Sequence, residues 1–214
     1  MSLVTLDNGA RIDADTIVIT TPAHETARLL AATAPGVADD LAGLGYASTG
    51  VVLMVYPQDT QAGLPDGTGF VVPRGKAPMT AATWLSSKWP AEAFGTTAVV
   101  RCYVGAVGEE DILDADDAVL IEACARHLAA VVNLPDMPEH ATVVRWPASM
   151  PQYEVGHLDR VTNIRAALPP GIVVVGQAYD GVGVPDCVRA ANETAEQVVA
   201  DLAHVPTDHE ETVP

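Results

Sequence analysis

The chain has 214 residues, enough for one large or two modest domains with a real core. Its formal net charge is −17, with 11 Lys and Arg against 28 Asp and Glu. Nucleic acid and anionic membrane surfaces are poor partners for such a chain, because both favour positive charge; the acidity reads as a solubilising surface. Apolar residues make up 49% of the chain and follow clear strand and helix periods, which excludes a disordered chain.

Cys102, Cys124 and Cys187 have no C-x-x-C spacing, so neither a zinc site nor a disulfide framework is expected. They suit a reducing compartment. Runs such as 16–21 and 172–175 are too short to cross a bilayer, and no basic leader precedes them, so a cytoplasmic protein is expected.

In chain order, Val4-Thr5-Leu6 and Ala10-Arg11-Ile12 flank Asp7-Asn8-Gly9 and predict a hairpin. A chain opening directly on a hairpin reads as the continuation of a unit that begins upstream, with Met1-Ser2-Leu3 a cloning remnant. Thr16–Thr20 is β-branched and predicts a strand buried on both faces. Pro22 then opens a helix to about Ala32, with Glu25 at its positive end.

Between about 43 and 138 the texture changes to strands joined by turns. Strands are expected at Gly50–Tyr56, Gly69–Pro73, Met79–Trp84 and Ala98–Val104, giving an antiparallel or mixed sheet. Asp111–Val132 follows as an amphipathic helix with Ala118, Ile121, Ala125, Leu128, Ala129 and Val132 on one face. Its acidic start reads as solvated carboxylates at a helix N-terminus, with no EF-hand spacing. The closing stretch predicts a strand at Ala141–Trp146, a polar loop and a helix at Asp159–Leu168. A strand at Ile172–Val175, a helix from Pro185 to about Ala203, and an unpatterned acidic tail at 205–214 complete it.

The fold class expected is a mixed α/β one, in which a Rossmann-like unit is interrupted by a sheet-plus-helix domain. The segments are 1–40, 41–138, 139–204 and the tail.

The chemistry concentrates in the last third. A strand runs into Gly176-Gln177-Ala178-Tyr179-Asp180-Gly181-Val182-Gly183-Val184-Pro185-Asp186-Cys187, where glycines admit close approach of a ligand to backbone. Pro185 and Asp186 suit the first turn of a helix. Spacing alone favours an ordinary glycine-rich strand-to-helix turn, since the third glycine of a nucleotide fingerprint is absent. His157 reads either as a polar group or neutral base lining a cavity, or as a histidine tying down loop backbone. Trp146, closing a strand, reads as a ring that stacks on a cofactor or as a core residue. No catalytic residue and no metal ligand is assigned: no serine has a G-x-S-x-G context and no histidine pair has ligand spacing.

Trp146, Met150-Pro151-Gln152-Tyr153, Gly156-His157 and Arg160, followed by Gly176, Tyr179 and Gly181–Cys187, resemble the C-terminal region of protoporphyrinogen and coproporphyrinogen oxidases. Asp7–Gly9 with Asp13–Ala23 resembles the second FAD-domain segment of that family, and Gly69–Pro73 its substrate-domain strand. The resemblance runs to about residue 203. It implies non-covalent FAD, oxidation of a porphyrinogen to a porphyrin, and oxygen as acceptor with hydrogen peroxide formed. It places Val182, Gly183 and Val184 against the flavin with Trp146 nearby, and Pro185 and Asp186 at the start of the helix behind. Arg101, Arg74 and Lys88 are the candidate anchors for substrate carboxylates.

The family's Gly-x-Gly-x-x-Gly unit is absent from this stretch, as is the helical segment after it, which in relatives forms cavity or membrane contact. The chain alone is therefore expected to be inactive and flavin-free, and to self-associate through faces otherwise covered. Two other readings stand beside this one: a different flavin amine-oxidase-like enzyme (an amine oxidase or carotenoid desaturase), and a non-catalytic binding module.

Overall fold

The computed structural model describes residues 2–89 and 91–203, so the expected tail at 205–214 lies outside the described residues. The protein is mixed α/β and divides into two units. One is built from the chain up to Gly45 together with Pro151 onward, the other from Tyr46–Met150. The divisions thus fall at 45/46 and 150/151, where the sequence suggested 40/41 and 138/139.

The outer unit opens on a hairpin, β1 (Ser2–Thr5) with β2 (Arg11–Ala14), paired from Ser2 opposite Ala14 to Thr5 opposite Arg11. Its loop closes through Gly9 N–H to the Leu6 carbonyl and Leu6 N–H to the Ala10 carbonyl, both 2.8 Å, with Gly9 at φ 81°. That is a three-residue loop ending on a left-handed glycine, one of the common hairpin solutions.

β3 (Ile17–Ile19) pairs in parallel with β9 (Ile172–Val174), Ile17 opposite Ile172 and Ile19 opposite Val174. The expectation that this strand is buried on both faces is corrected. Ile19 is buried but Val18 is 45% exposed, while its partner Val173 is half-buried. α1 (Ala23–Leu30) starts after Pro22, which sits at the cap position, and buries Ala23, Thr26, Ala27 and Leu30. α2 (Pro35–Ala42) follows, a helix absent from the sequence reading, with Pro35 in its first turn and Val37, Ala38 and Leu41 buried.

The inserted unit is an antiparallel sheet with a helix on one face. Its strands are β4 (Tyr46–Val55), β5 (Gly69–Val71), β6 (Ala81–Trp84), β7 (Val99–Val104) and β8 (His140–Pro151), in the spatial order β5-β6-β7-β4-β8. β8 extends well beyond the expected end at Trp146. Pro147 does not stop it, because Ala148 takes φ 43° and its N–H is caught by Ser48 Oγ on β4 at 3.0 Å. α3 (Leu85–Lys88) is a single turn after β6.

The expected long helix is α4 (Asp117–Val131), preceded by a separate 3₁₀ turn at Glu110–Asp114. The two are broken by extended backbone at Ala115 and Asp116. The acidic residues at this junction have structural partners: Glu110 accepts N–H bonds from Ser48 and Gly108, and Asp117 pairs with Arg145 at 2.6 Å.

The buried face of α4 is Leu120, Cys124, Ala125 and Leu128, spaced one turn apart and centred away from Ala118 and Val132. These pack on Val52, Met54, Val100, Cys102 and Val104 of the sheet, with Trp84 and Tyr56 fully enclosed. Cys102 and Cys124 meet in this core, and the hydrogen bond between them together with burial holds the Cys102 thiol far above its ordinary pKa. Burial likewise raises the Tyr56 phenol, whose hydroxyl donates to Met54 Sδ at 3.7 Å. All three cysteines are free thiols. No helix among the described residues is long and apolar enough to cross a membrane.

Two glycines separate conformational cost from steric cost. A Cβ on Gly9 would meet nothing within 4 Å, whereas one on Gly69 would lie 2.1 Å from the Ala82 carbonyl oxygen. Gly9→Ala is expected to cost about 1 kcal/mol from its left-handed backbone alone. Gly69→Ala, which must also push two strands apart, is expected to cost ~3 kcal/mol or more. Urea unfolding of the two variants measures the difference, and equal midpoints would contradict the sheet register.

Candidate functional site

The glycine turn leaves β9 with Val175 N–H bonded to the Ile19 carbonyl. Residues 176–180 form one tight turn closed by Tyr179 N–H to the Gly176 carbonyl at 3.0 Å. Gly176 and Gly181 take φ 140° and 124°, values that disfavour any residue with a Cβ. The chain then enters α6 (Val184–Ala203), one residue earlier than expected. Of α6 only Ala190 is buried, and Val188, Val199 and Leu202 are exposed.

The turn bends back on the start of its own helix. A Cβ on Gly181 would sit 2.7 Å from the Asp186 side chain, and one on Gly183 would sit 2.9 Å from Asp186 Oδ2. These two glycines thus make room for Asp186, not only for a ligand. Val182 and Val184 point outward, 50% and 77% exposed. Val182, Gly183, Val184, Pro185 and Asp186 therefore form one continuous surface at a helix N-terminus. Trp146 lies on β8 in the inserted unit; it is 45% exposed and so is not a core residue.

Several groups brace the turn that the sequence did not assign to it. Asp180 is paired with Arg165 of α5 (His157–Ala167) at 2.6 Å, and its carbonyl accepts from Arg189 of α6 at 3.4 Å. Tyr153 Oη donates to the Gln177 carbonyl at 2.6 Å and accepts from Gly181 N–H at 2.8 Å. The Tyr153 ring stacks on His157, centroids 3.8 Å apart and planes 15° from parallel. No helical spacing announced this pair: α5 begins at His157, two residues before the expected Asp159, and Tyr153 lies ahead of it, beyond the left-handed Gly156.

His157 is 7% exposed and opens α5 just after Gly156, which takes φ 86°. Its Nε2 is enclosed without a hydrogen-bond partner, and its ring bonds instead to the backbone of Ala178. Burial, then the nearby Arg160 guanidinium, lower its pKa, while the Ala178 bond works in the opposite sense. This environment suits a neutral histidine that fastens backbone, the second of its two readings. Arg160 itself is anchored to the Gly43 carbonyl at 2.7 Å, tying α5 to the end of α2.

Two of the candidate substrate anchors lie at opposite ends of one strand pair. β5 and β6 are antiparallel, with Val71 opposite Ala81, so Arg74 follows one end of that pair and Lys88 follows the other. Arg101 sits in the middle of β7 with its guanidinium 4.8 Å over the Tyr103 ring.

The outer unit thus carries a parallel strand pair with a glycine turn at its carboxyl end, and the inserted unit an antiparallel sheet. Residues 2–199 match the family described as flavin containing amine oxidoreductase, and the chain belongs to that family. It is 37% identical over 187 residues to a coproporphyrinogen III oxidase of Bacillus subtilis, covering 86% of this chain and 39% of the relative. It is also 37% identical over 198 residues to the Mycobacterium leprae enzyme of that name, covering 92% and 43%. The chloroplastic protoporphyrinogen oxidase of Nicotiana tabacum is 30% identical over 200 residues, covering 87% and 36%.

Among solved structures, an Exiguobacterium protein with a provisional protoporphyrinogen oxidase assignment superposes with a TM-score of 0.78 at 32% identity. That match covers 93% of this chain and 44% of the other. Likeness to putrescine oxidase, at 15% identity and a TM-score of 0.71, shows the fold alone. The chain spans about two-fifths of the length of the curated relatives it matches.

The buried His157 makes the outer unit's stability depend on pH. Its pKa is lower folded than unfolded, so the unfolded chain binds the extra proton and stability rises with pH across that window. The contribution is complete above the unfolded value of 6.5 and is lost as pH falls through it toward the native pKa. His157→Gln is expected to flatten the stability profile between pH 7 and 5, as read by denaturant unfolding across about two pH units. An unchanged slope in the variant would contradict a neutral buried histidine.

Proposed function

We propose that this chain is part of an FAD-dependent oxidase that converts a porphyrinogen to a porphyrin with oxygen as acceptor, a step of haem biosynthesis. The observation that carries the proposal is the 176–186 turn, whose Val182, Val184, Pro185 and Asp186 are exposed at the start of a 20-residue helix, in a chain whose curated relatives include coproporphyrinogen III and protoporphyrinogen oxidases. The cytoplasmic location stays part of this reading, on the strength of the free thiols. So does peripheral membrane contact made through a segment outside this chain.

The turn fits the ring end of a flavin. Val182 and Val184 offer outward apolar contacts to a planar ring, with Gly183 between them bearing no side chain. The N-terminus of α6 turns its positive end toward the same surface, favouring negative charge there by about 0.3–1 kcal/mol. Asp186 folds over that end and draws on the same field, which holds the effect toward the low side of the range. Pro185 needs no hydrogen-bond partner in the first turn and leaves the path to the ligand free. Trp146 is proposed as an aromatic contact to the same cofactor. When bound, flavin supplies the two-electron oxidation and its own reoxidation by oxygen, giving peroxide.

This stretch carries no Gly-x-Gly-x-x-Gly to hold the FAD phosphates, so the 214-residue chain alone is proposed not to retain FAD or turn over. The exposed Leu3, Ile12, Val18, Val188 and Val199 of the outer unit support self-association. The amine oxidase reading has the family match and the likeness to putrescine oxidase behind it, but no feature of the turn favours it or the desaturase reading.

Purified as it stands, the chain is expected to show no visible flavin absorbance and to scatter light as an oligomer. A stoichiometric flavin band, or a monomer at high concentration, would overturn those two expectations respectively. Joined to an upstream segment bearing the glycine fingerprint and loaded with FAD, it is expected to release peroxide on coproporphyrinogen or protoporphyrinogen. Oxidation of amines with neither porphyrinogen consumed would sink the assignment.

A further inference from the structure

We infer that Tyr153 is a positioning residue for the cofactor turn: its phenol oxygen, held between the Gln177 carbonyl and the Gly181 N–H, sets the path on which Val182 and Gly183 are presented. The inference rests on the reading that this turn meets a flavin. The staple itself stands on geometry.

A segment with glycines at 176, 181 and 183 has wide conformational freedom, and something must select one path for it. Tyr153 spans four residues of that segment with a single oxygen, donating at 2.6 Å to Gln177 and accepting at 2.8 Å from Gly181. The second contact falls on the residue immediately before Val182. Cys187 holds the carbonyls of Gly181 and Gly183 from the helix side, at 3.5 Å from its Sγ and 3.0 Å from its N–H, so Tyr153 fixes the N–H side of the residue where the exposed valines begin.

The ring carrying that oxygen is itself held. It stacks on His157, and His157 bonds to the backbone of Ala178. Ala178 lies inside the stapled span, so the circuit from Tyr153 through His157 returns to the turn it braces. On the other side, the Arg165–Asp180 pair and the Arg189 bond to the Asp180 carbonyl hold the residue just ahead of Gly181. Those bonds locate Asp180 but leave the Gly181 N–H to Tyr153. A positioned turn has a chemical consequence: a flavin's spectrum and potential respond to the distance and direction of the backbone and helix end beside it.

Tyr153→Phe keeps the ring and its stack on His157 while deleting the oxygen; Tyr153→Leu deletes both. Amide hydrogen exchange is followed in the 214-residue chain. The flavin absorbance spectrum and midpoint potential are followed in the FAD-loaded protein that contains this chain. For Tyr153→Phe we expect Gly181 to exchange about fivefold to tenfold faster, the loss of one hydrogen bond, with the unfolding midpoint nearly unmoved. The flavin band shape and potential are expected to shift, with KM for the porphyrinogen little changed. Tyr153→Leu is expected to add faster exchange at the start of α5.

Unchanged Gly181 exchange in Tyr153→Phe overturns the staple. Faster exchange with an identical flavin spectrum and potential overturns the positioning role and leaves Tyr153 a contact of the fold. If the wild-type protein containing this chain takes up no flavin, the flavin reading fails, and the staple is judged by exchange alone.

Discussion

The pairing of residues 17–19 with 172–174 is the constraint on which the outer unit depends. It joins two segments separated by some 150 residues, bracketed by Ile17 N–H to the Gly171 carbonyl at 2.7 Å and Val175 N–H to the Ile19 carbonyl at 3.2 Å. Because the strands are parallel, both leave the sheet at the same edge, one into Pro22 and α1, the other into Gly176 and the turn. Ligands of open α/β sheets bind outside the carboxyl ends of the strands. A three-residue pairing so short does not hold by its own hydrogen bonds. In the same unit α1 packs on α2 and α2 on α5, burying Leu30, Leu41, Val161 and Ile164.

Elements with a strong local code were legible. The Asp7-Asn8-Gly9 hairpin and β5, β6 and β7 lie close to their expected places, since turn chemistry and alternation act over a few residues. Elements set by distant partners were not. β8 runs through Pro147 because Ser48, a hundred residues away, catches the Ala148 N–H. The break before α4 reflects Glu110 bonding back to Ser48 and Gly108, and Arg145 reaching Asp117, neither of which sequence periodicity reports. α2 was missed because Pro35-Gly36 reads as a turn; here proline opens the helix, and Gly36 is tolerated in a segment whose apolar face is buried.

The site divides the same way. Glycines at 176, 181 and 183 read as admitting close approach of a ligand; what the structure adds is an unusual backbone at two of them, φ 140° at Gly176 and 124° at Gly181. That Gly181 and Gly183 clear space for Asp186 was not visible, because the carboxylate that fills it belongs to the next turn of chain. Nor does sequence show that His157 is enclosed and beside Arg160, which decides its protonation, since burial is a property of three segments meeting.

The inserted unit begins and ends at neighbouring positions: Ser48 and Ala148 are bonded across β4 and β8, and just outside them Gln152 N–H meets the Gly45 carbonyl at 2.9 Å. The outer unit thus sees the 105 residues of Tyr46–Met150 as an excursion whose two mouths are one strand spacing apart. A chain with such a gate can gain, lose or exchange the inserted sheet without re-threading its parallel strands. The geometry makes the part that carries the sheet a replaceable cassette, and the part that carries the turn its fixed frame.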